Sequence, residues 1–154
     1  MTITDMNTKP PTYLGAGIIL MNSENNTFLL LKGVRTGVWS FSKGHPETRD
    51  HEAPLRTAVR ETFEETGFYA GVDYDIIGNS MRFGKRPYWL GVMKHADTTV
   101  SLSRTEHSAA AWLSWEEIHN LDTNTNTDVR CWVKKSQSDH GEFSRVISLI
   151  RRSS

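Results

Sequence analysis

Cysteine is nearly absent from this sequence. Cys131 is the single cysteine among 154 residues, so an intrachain disulfide and a metal site built from several cysteines are both excluded. Such a composition is typical of proteins in a reducing compartment. We therefore expect a cytoplasmic protein.

Net charge and long apolar runs are also lacking. Eighteen basic residues balance eighteen acidic ones, so no overall field attracts nucleic acid, and salt-sensitive binding to a phosphate backbone would need a local basic patch. No stretch approaches the roughly 20 apolar residues of a membrane span. The first residues, "MTITDMNTKPPTY", have neither the basic start nor the apolar centre of a signal peptide. We expect no association with a membrane, and the oligomeric state stays open.

The length of the chain predicts one domain, large enough to bury a core. Residues 1–11 are polar and end in two prolines. We interpret them as a flexible lead-in, and residues 12–154 as a single domain.

Short apolar runs predict several strands. "YLGAGIILM" and "TFLLLKG" flank the turn cluster "NSENN", which predicts a hairpin. "VWSFS" is a third candidate, and "DYDIIGNSMRFGKRPYWLGVMKHA" is expected to supply two or three more. Strands before and after a central helix predict a mixed α/β domain with a partly antiparallel sheet.

Helical periodicity predicts that central helix over residues 52–66, with Pro54 in its first turn and Gly67 as its left-handed end. Its predicted apolar stripe consists of Leu55, Ala58, Val59, Thr62 and Thr66. A second helix is expected after Ser114, because Glu117 three residues later completes a capping box. "FSRVISLIRR" is interpreted as a terminal helix, although its β-branched residues also allow a strand.

The last turns of the central helix read "RETFEETG" and carry Glu61, Glu64 and Glu65. We place all three on one exposed face, where repulsion costs a few tenths of a kcal/mol per pair and the helix dipole adds about 0.3 to 1 kcal/mol. A solvated acidic face is one interpretation. The other is a site for Mg²⁺ or Mn²⁺, which prefer oxygen ligands and would cancel the repulsion.

The surrounding segment from Gly44 to Phe68 resembles the Nudix box: a glycine, a spaced glutamate, Arg-Glu, then Glu-Glu and a glycine. The residues on this pattern are Gly44, Glu52, Arg60, Glu61, Glu64, Glu65, Gly67 and Phe68. Thr62 replaces the usual aliphatic residue. Seven residues separate Gly44 from Glu52 where the pattern has five, so we place a two-residue insertion between them.

The resemblance implies an α/β/α sandwich that hydrolyses a nucleoside diphosphate linked to another moiety with Mg²⁺ or Mn²⁺. By position, Glu61, Glu64 and Glu65 would bind metal, and the Gly44 carbonyl would be a further ligand. Glu64 is our choice of base. Arg60 would orient Glu61 and Glu52 through ion pairs.

Two more stretches resemble diadenosine-polyphosphate hydrolases of the same family. "WSFSKGHPE" is similar to their "PKGH" entrance, with Ser42 in place of proline, and implies that Lys43 and His45 flank the phosphates. "LSRTEHSAAAWLSWEEI" is similar to their "EH...WL..EE" stretch and makes Glu106 a candidate metal ligand or base. The alternatives are ordinary loop residues and, for His107, a packing histidine.

These observations predict a pyrophosphohydrolase acting on dinucleoside polyphosphates or nucleoside triphosphates. Tyr88, with Trp89, is our candidate for a nucleobase wall. Messenger RNA decapping is the alternative function, because the segment from Arg60 to Phe68 is also similar to a "REVFEETGF"-like segment of decapping enzymes in this family. Capped RNA therefore stays a possible partner. A Nudix-like binding module without activity and an acidic interaction helix on an unrelated fold are two further hypotheses.

Overall fold

A computed structural model describes residues 12–137 of the chain. The lead-in predicted for residues 1–11 and the helix predicted in "FSRVISLIRR" lie outside these residues. Within 12–137, none of the helices has both the length and the apolar character needed to cross a membrane.

In the described part of the chain, the strands form one mixed sheet. They are β1 (Ala16–Asn22), β2 (Thr27–Gly33), β3 (Trp39–Ser40), β4 (Ser42–Gly44), β5 (Tyr74–Phe83), β6 (Arg86–Met93) and β7 (His107–Leu113). The order along the sheet is β3-β2-β1-β6-β5, with β4 paired to β1 and β7 paired to β2. The β1–β6 pair is parallel and the other pairs are antiparallel.

Helices cover both faces of this sheet. The helices are α1 (Pro54–Thr66), α2 (Trp115–Leu121) and α3 (Thr127–Ser136). Alternate residues of β1 point to opposite faces: Ile18 and Leu20 share a buried cluster with Ala58 of α1, whereas Ile19 and Met21 share one with Trp132 of α3. Each fully buried aliphatic side chain contributes about 1.5 to 3 kcal/mol to folding. The predicted α/β/α sandwich is confirmed.

The predicted strands are found, but one of them is divided into two shorter strands. The β1–β2 hairpin is antiparallel, as predicted. "VWSFS" is divided into β3 and β4, which pair with different strands, and Phe41 between them is fully buried. The sequence analysis did not identify β7 or α3. The helix α3 contributes Val129 and Trp132 to the buried core, and Trp112 and Leu113 of β7 pack against it.

The predicted helix ends are largely correct. Gly67 ends α1 at φ 82°, and Ser114 and Glu117 form the expected capping box of α2. The start of α1 is two residues later than predicted, because Glu52 has φ 56° and lies outside the helix.

The predicted orientation of α1 needs correction. Leu55, expected on the apolar stripe, is 38% exposed, whereas Glu65, expected on the exposed face, is only 3% exposed. The buried side of α1 consists of Thr57, Ala58, Thr62, Glu65 and Thr66. Small threonines let α1 approach the sheet closely, and this brings Glu65 against β4 instead of into solvent.

Candidate active site

Arg60 is the centre of the largest polar network in the part of the chain that the structure describes. Its Nε and Nη2 donate to the two carboxylate oxygens of Asp50, both at 2.9 Å, and Nη2 also donates to the His45 carbonyl at 2.9 Å. Nη1 donates to Glu61 Oε1 at 2.9 Å and to Glu64 Oε2 at 3.1 Å. All five N–H groups of the guanidinium therefore have protein acceptors. Arg60 holds the carboxylates in place and has no donor left for substrate.

The acidic partner of Arg60 is Asp50, and the predicted pair between Arg60 and Glu52 is wrong. Asp50 is 2% exposed, whereas Glu52 is exposed and makes no ion pair within residues 12–137. Five residues separate Gly44 from Asp50, which is the spacing of the Nudix pattern. The two-residue insertion therefore follows Asp50, where His51 and Glu52 adopt left-handed backbone angles before α1 begins.

Asp50 is also held by neutral donors. Thr57 Oγ1 and the Glu47 amide donate to its Oδ2, at 2.7 and 2.8 Å. Together with Arg60 these donors hold the pKa of Asp50 well below its usual range, and the carboxylate raises the pKa of Arg60 in turn. The pair is therefore ionised at neutral pH.

Gly44 lies directly against the Glu61 carboxyl group. A Cβ atom built on Gly44 would overlap the Glu61 side chain, so only glycine fits at the end of β4 when Glu61 is in this position. Burial raises the pKa of Glu61, partly offset by Arg60, and the nearby charges of Glu64 and Glu106 raise it further. A cation bound nearby would stabilise the ionised form of Glu61.

Glu65 is a buried carboxyl group behind Glu61. Its Oε1 accepts from the Lys43 amide at 2.9 Å and lies 3.0 Å from Ser42 Oγ. Burial raises its pKa to about 8, with a further contribution from the charge of Glu61. A buried carboxylate is costly unless it is paired, and these neutral donors only partly compensate.

Glu106 and His107 lie beside Glu65, with His107 as the first residue of β7 and Glu106 directly before it. One ligand atom each from Glu65, Glu106 and His107 lies within 4.8 Å of the others, and His107 Nε2 is 3.2 Å from Glu65 Oε2. The Val34 amide donates to the Glu106 carbonyl at 2.9 Å, which fixes this turn beside β2. His107 is buried, and burial lowers its pKa. The sequence analysis did not assign His107 to the site, although it directly follows Glu106.

The donor set fits a hard divalent cation. Glu65, Glu106 and His107 could each offer one ligand atom to the same cation, and the Glu61 carboxyl group lies against Gly44 near them. Oxygen ligands of this kind suit Mg²⁺ and Mn²⁺, and an imidazole is also accepted by transition ions. Burial is the main cause of the raised pKa values of Glu61 and Glu65, and the charges of neighbouring carboxylates raise both further.

The candidate substrate residues separate into two groups. Lys43 and His45 are the sequence neighbours of Gly44, and their contact with the phosphates stays a prediction. The Lys43 side chain is half-buried and that of His45 is exposed. Tyr88 is fully buried, and its hydroxyl donates to Asp128 Oδ2 at 2.5 Å. Tyr88 packs edge-on against Phe41 in the core, so the prediction of a nucleobase wall at Tyr88 is wrong.

The sequence matches a known protein family over most of its length. The NUDIX domain family matches residues 11–135. Bis(5'-nucleosyl)-tetraphosphatase [asymmetrical] from Sus scrofa is 41% identical over 104 residues, which cover 61% of this chain and 68% of that protein. The protein of the same name from Mus musculus is 35% identical over 111 residues, which cover 66% of this chain and 73% of that protein.

Solved structures share the fold. An Ap4A hydrolase binary complex from C. elegans has a TM-score of 0.63 at 23% identity, covering 80% of this chain and 95% of that one. A MutT protein from Methanosarcina mazei Go1 has a TM-score of 0.62 at 22% identity, covering 84% of this chain and 96% of that one. The resemblance to the Nudix box is thus confirmed by the match along most of the chain, and the protein belongs to the NUDIX family of hydrolases.

Proposed function

We propose that the protein hydrolyses dinucleoside polyphosphates and depends on Mg²⁺ or Mn²⁺. The observation that carries this proposal is the convergence of Glu61, Glu65 and Glu106 beside the Gly44 backbone. The activity named for the relatives from Sus scrofa and Mus musculus supports the choice of substrate. The site at Gly44 is open to solvent through Glu64 and His45, which are both exposed.

Glu61, Glu64, Glu65 and Glu106 would hold the cations, with the Gly44 carbonyl as an additional ligand. Bound divalent ions would neutralise the charge of the phosphates and lower the pKa of a water molecule that attacks phosphorus in line. Arg60 fixes Glu61 and Glu64 through Nη1. Because that guanidinium is fully used, it acts on the reaction only by orienting these carboxylates.

Glu64 is our candidate for the base that removes the proton from the attacking water. Its carboxylate is exposed, with 44% of the side chain accessible, and it is hydrogen-bonded to Arg60 and to Arg49. Glu65 is much less accessible to a water outside the metal site, because its side chain is 4% exposed. We therefore assign Glu65 to metal binding. Glu106 is the other candidate base.

Lys43 and His45 are proposed to contact the phosphates, because Lys43 lies in β4 and His45 directly follows it, on either side of Gly44. The Lys43 charge reaches Glu65 and His107, and it affects the pKa of each. A cation in this position would attract a polyphosphate to the edge of the site.

A substrate panel with Mg²⁺ or Mn²⁺ tests the proposal. It would contain diadenosine tetraphosphate, capped RNA, nucleoside triphosphates and ADP-ribose, with products identified by mass. We expect diadenosine tetraphosphate to give the highest kcat/KM, and Glu64→Gln and Glu65→Gln to abolish turnover while the protein stays folded. Full activity in either variant, or in the presence of EDTA, would contradict the metal-dependent mechanism. Release of a capped nucleoside diphosphate as the dominant product would contradict the substrate class.

A further inference from the structure

Arg86, the first residue of β6, uses its guanidinium very differently from Arg60. Its Nη1 donates to Asp128 Oδ2 at 3.0 Å, and the guanidinium makes no other hydrogen bond to residues 12–137. Four of its five N–H groups therefore have no acceptor among the described residues. The side chain is only 24% exposed, so these donors lie close to the protein surface in a partly enclosed position.

Asp128 fixes the position of Arg86. This carboxylate is 2% exposed, in the first turn of α3, and accepts a hydrogen bond from Tyr88 Oη as well as from Arg86. Burial and the nearby carboxylate raise the pKa of Tyr88, so its hydroxyl stays a donor. A Cβ atom on Gly84 would overlap Asp128 Oδ1, so the β5–β6 turn also confines the carboxylate. The arrangement leaves the guanidinium little freedom.

The fixed guanidinium lies beside Gly44. A Cβ atom built on Gly15 would lie 2.5 Å from the Gly44 carbonyl oxygen and 3.2 Å from Arg86 Nε, so these two atoms are within about 6 Å of each other. A Cβ on Gly17 would lie 2.6 Å from the Tyr88 ring and 2.9 Å from Lys43 Cβ. These neighbours fill the space that side chains at Gly15 and Gly17 would need, so the two glycines let β1 pack closely between Lys43 on β4 and Arg86 on β6.

We propose that Arg86 binds a phosphate of the substrate next to the pair whose bond is cleaved, an inference that rests on the proposed nucleotide hydrolysis. A guanidinium fork matches two phosphate oxygens, and the partial burial of Arg86 strengthens the attraction. Gly44 separates this position from the carboxylates on α1. Arg86 thereby favours substrates that have more than two consecutive phosphates. Asp128 is a positioning residue, because it acts through Arg86.

Binding of inorganic tripolyphosphate in the presence of Mg²⁺, measured by calorimetry, tests this role without turnover. Arg86→Gln should weaken binding about 10- to 100-fold, since a hydrogen bond to a charged group is lost. Arg82→Gln removes the same charge from an exposed position on the same hairpin and should change the affinity less than twofold. Equal effects of the two variants would overturn the proposal, because they would indicate only a general loss of positive charge.

Kinetics separate phosphate binding from a structural role. Arg86→Gln should raise KM for diadenosine tetraphosphate about 10-fold or more with little change in kcat, and leave KM for ADP-ribose, which has two phosphates, unchanged. A similar loss with both substrates would overturn the proposal. If the wild-type protein hydrolyses neither compound, the proposed function fails, and tripolyphosphate binding still decides the role of Arg86.

Two further variants test how Arg86 is held. Arg86→Lys keeps the charge but loses the fork, so we expect an intermediate tripolyphosphate affinity. Asp128→Asn keeps a similar shape, and it should weaken tripolyphosphate binding less than Arg86→Gln does. Unfolding in urea is measured for each variant to confirm that the protein is folded. An Arg86→Gln protein that is folded and binds tripolyphosphate as tightly as the wild type would contradict the inference outright.

Discussion

The carboxylate of Asp50 receives two parallel hydrogen bonds from the guanidinium of Arg60, each 2.9 Å long. This bidentate pair is almost completely buried on the Asp50 side, and it links the loop before α1 to the helix that carries the glutamates. Bidentate pairs between arginine and carboxylate are strong and geometrically specific. The pair therefore fixes the direction of Arg60, and through Arg60 the positions of Glu61 and Glu64.

Asp50→Asn should destabilise the protein by about 3 kcal/mol, because it leaves the Arg60 charge without its main partner in a buried position. Urea denaturation at pH 7 measures the loss. Glu52→Gln is the matched control: Glu52 is exposed and makes no ion pair in the described residues. Its free energy of unfolding should change by less than about 0.5 kcal/mol. A larger effect at Glu52 than at Asp50 would contradict the position that we assign to the insertion.

The contribution of Asp50 to stability should depend on pH. Its folded pKa is depressed by Arg60, Thr57 and the Glu47 amide, so its carboxylate stabilises the folded state above the unfolded pKa of about 3.9. Below that pH, the unfolded chain takes up a proton that the folded chain does not. The difference in unfolding free energy between wild type and Asp50→Asn should therefore be largest near pH 7 and shrink as pH falls below about 4. A constant difference between pH 7 and pH 3 would contradict an ionised Asp50.

Spacing along one helix made the glutamate cluster predictable, because residues three and four apart on a helix are neighbours. The acidic partner of Arg60 could not be chosen in the same way. Asp50 and Glu52 are both acidic and only one residue lies between them, so spacing alone favoured Glu52. Only the left-handed backbone at His51 and Glu52 shows where the loop absorbs the insertion.

The buried side of α1 is set by its packing against the sheet and could not be predicted from hydrophobic periodicity. Thr62 and Thr66 gave a weak apolar stripe, so the sequence could not indicate that Glu65 lies on the buried side. Ser42 and Thr62, the two substitutions relative to the family pattern, contact each other. Ser42 Oγ is 3.0 Å from Thr62 Oγ1 and 3.0 Å from Glu65 Oε1. Sequence spacing gives no sign of such a contact, since Ser42 and Thr62 are twenty positions apart.

Two elements were missed because their local signals are weak. The strand β7 is rich in alanine, which has low β propensity, and it is held by pairing with β2. The helix α3 is short, although Asn126 caps it by accepting from the Val129 amide at 3.0 Å. That cap was a detectable sequence signal. The role of Asp128 depends on a contact with Tyr88, forty residues away in sequence, and could not be read locally.

Gly44→Ala should reduce kcat/KM for diadenosine tetraphosphate by about 100-fold, because the added Cβ overlaps the Glu61 side chain and displaces its carboxylate. Steady-state kinetics at saturating Mg²⁺ measure the effect. Gly78→Ala is the control: a Cβ there meets no atom within 4 Å in the structure, although its φ of 72° makes alanine costly by about 1 to 2 kcal/mol. Gly78→Ala should lower stability and keep activity. Unchanged activity in Gly44→Ala would exclude a close packing of Gly44 on Glu61.

Tyr88→Phe tests whether Tyr88 is a core residue. Removal of its hydroxyl takes one of two side-chain donors from the buried Asp128 carboxylate, so the free energy of unfolding should fall by about 1 to 3 kcal/mol in urea denaturation. Tyr69→Phe removes a hydroxyl from a ring that is 52% exposed, and it should change stability by less than about 0.5 kcal/mol. A nucleobase wall would behave differently, because phenylalanine keeps the aromatic face that stacks on a base. Unchanged stability in Tyr88→Phe would contradict the hydrogen bond to Asp128 and reopen a role for this ring at the surface.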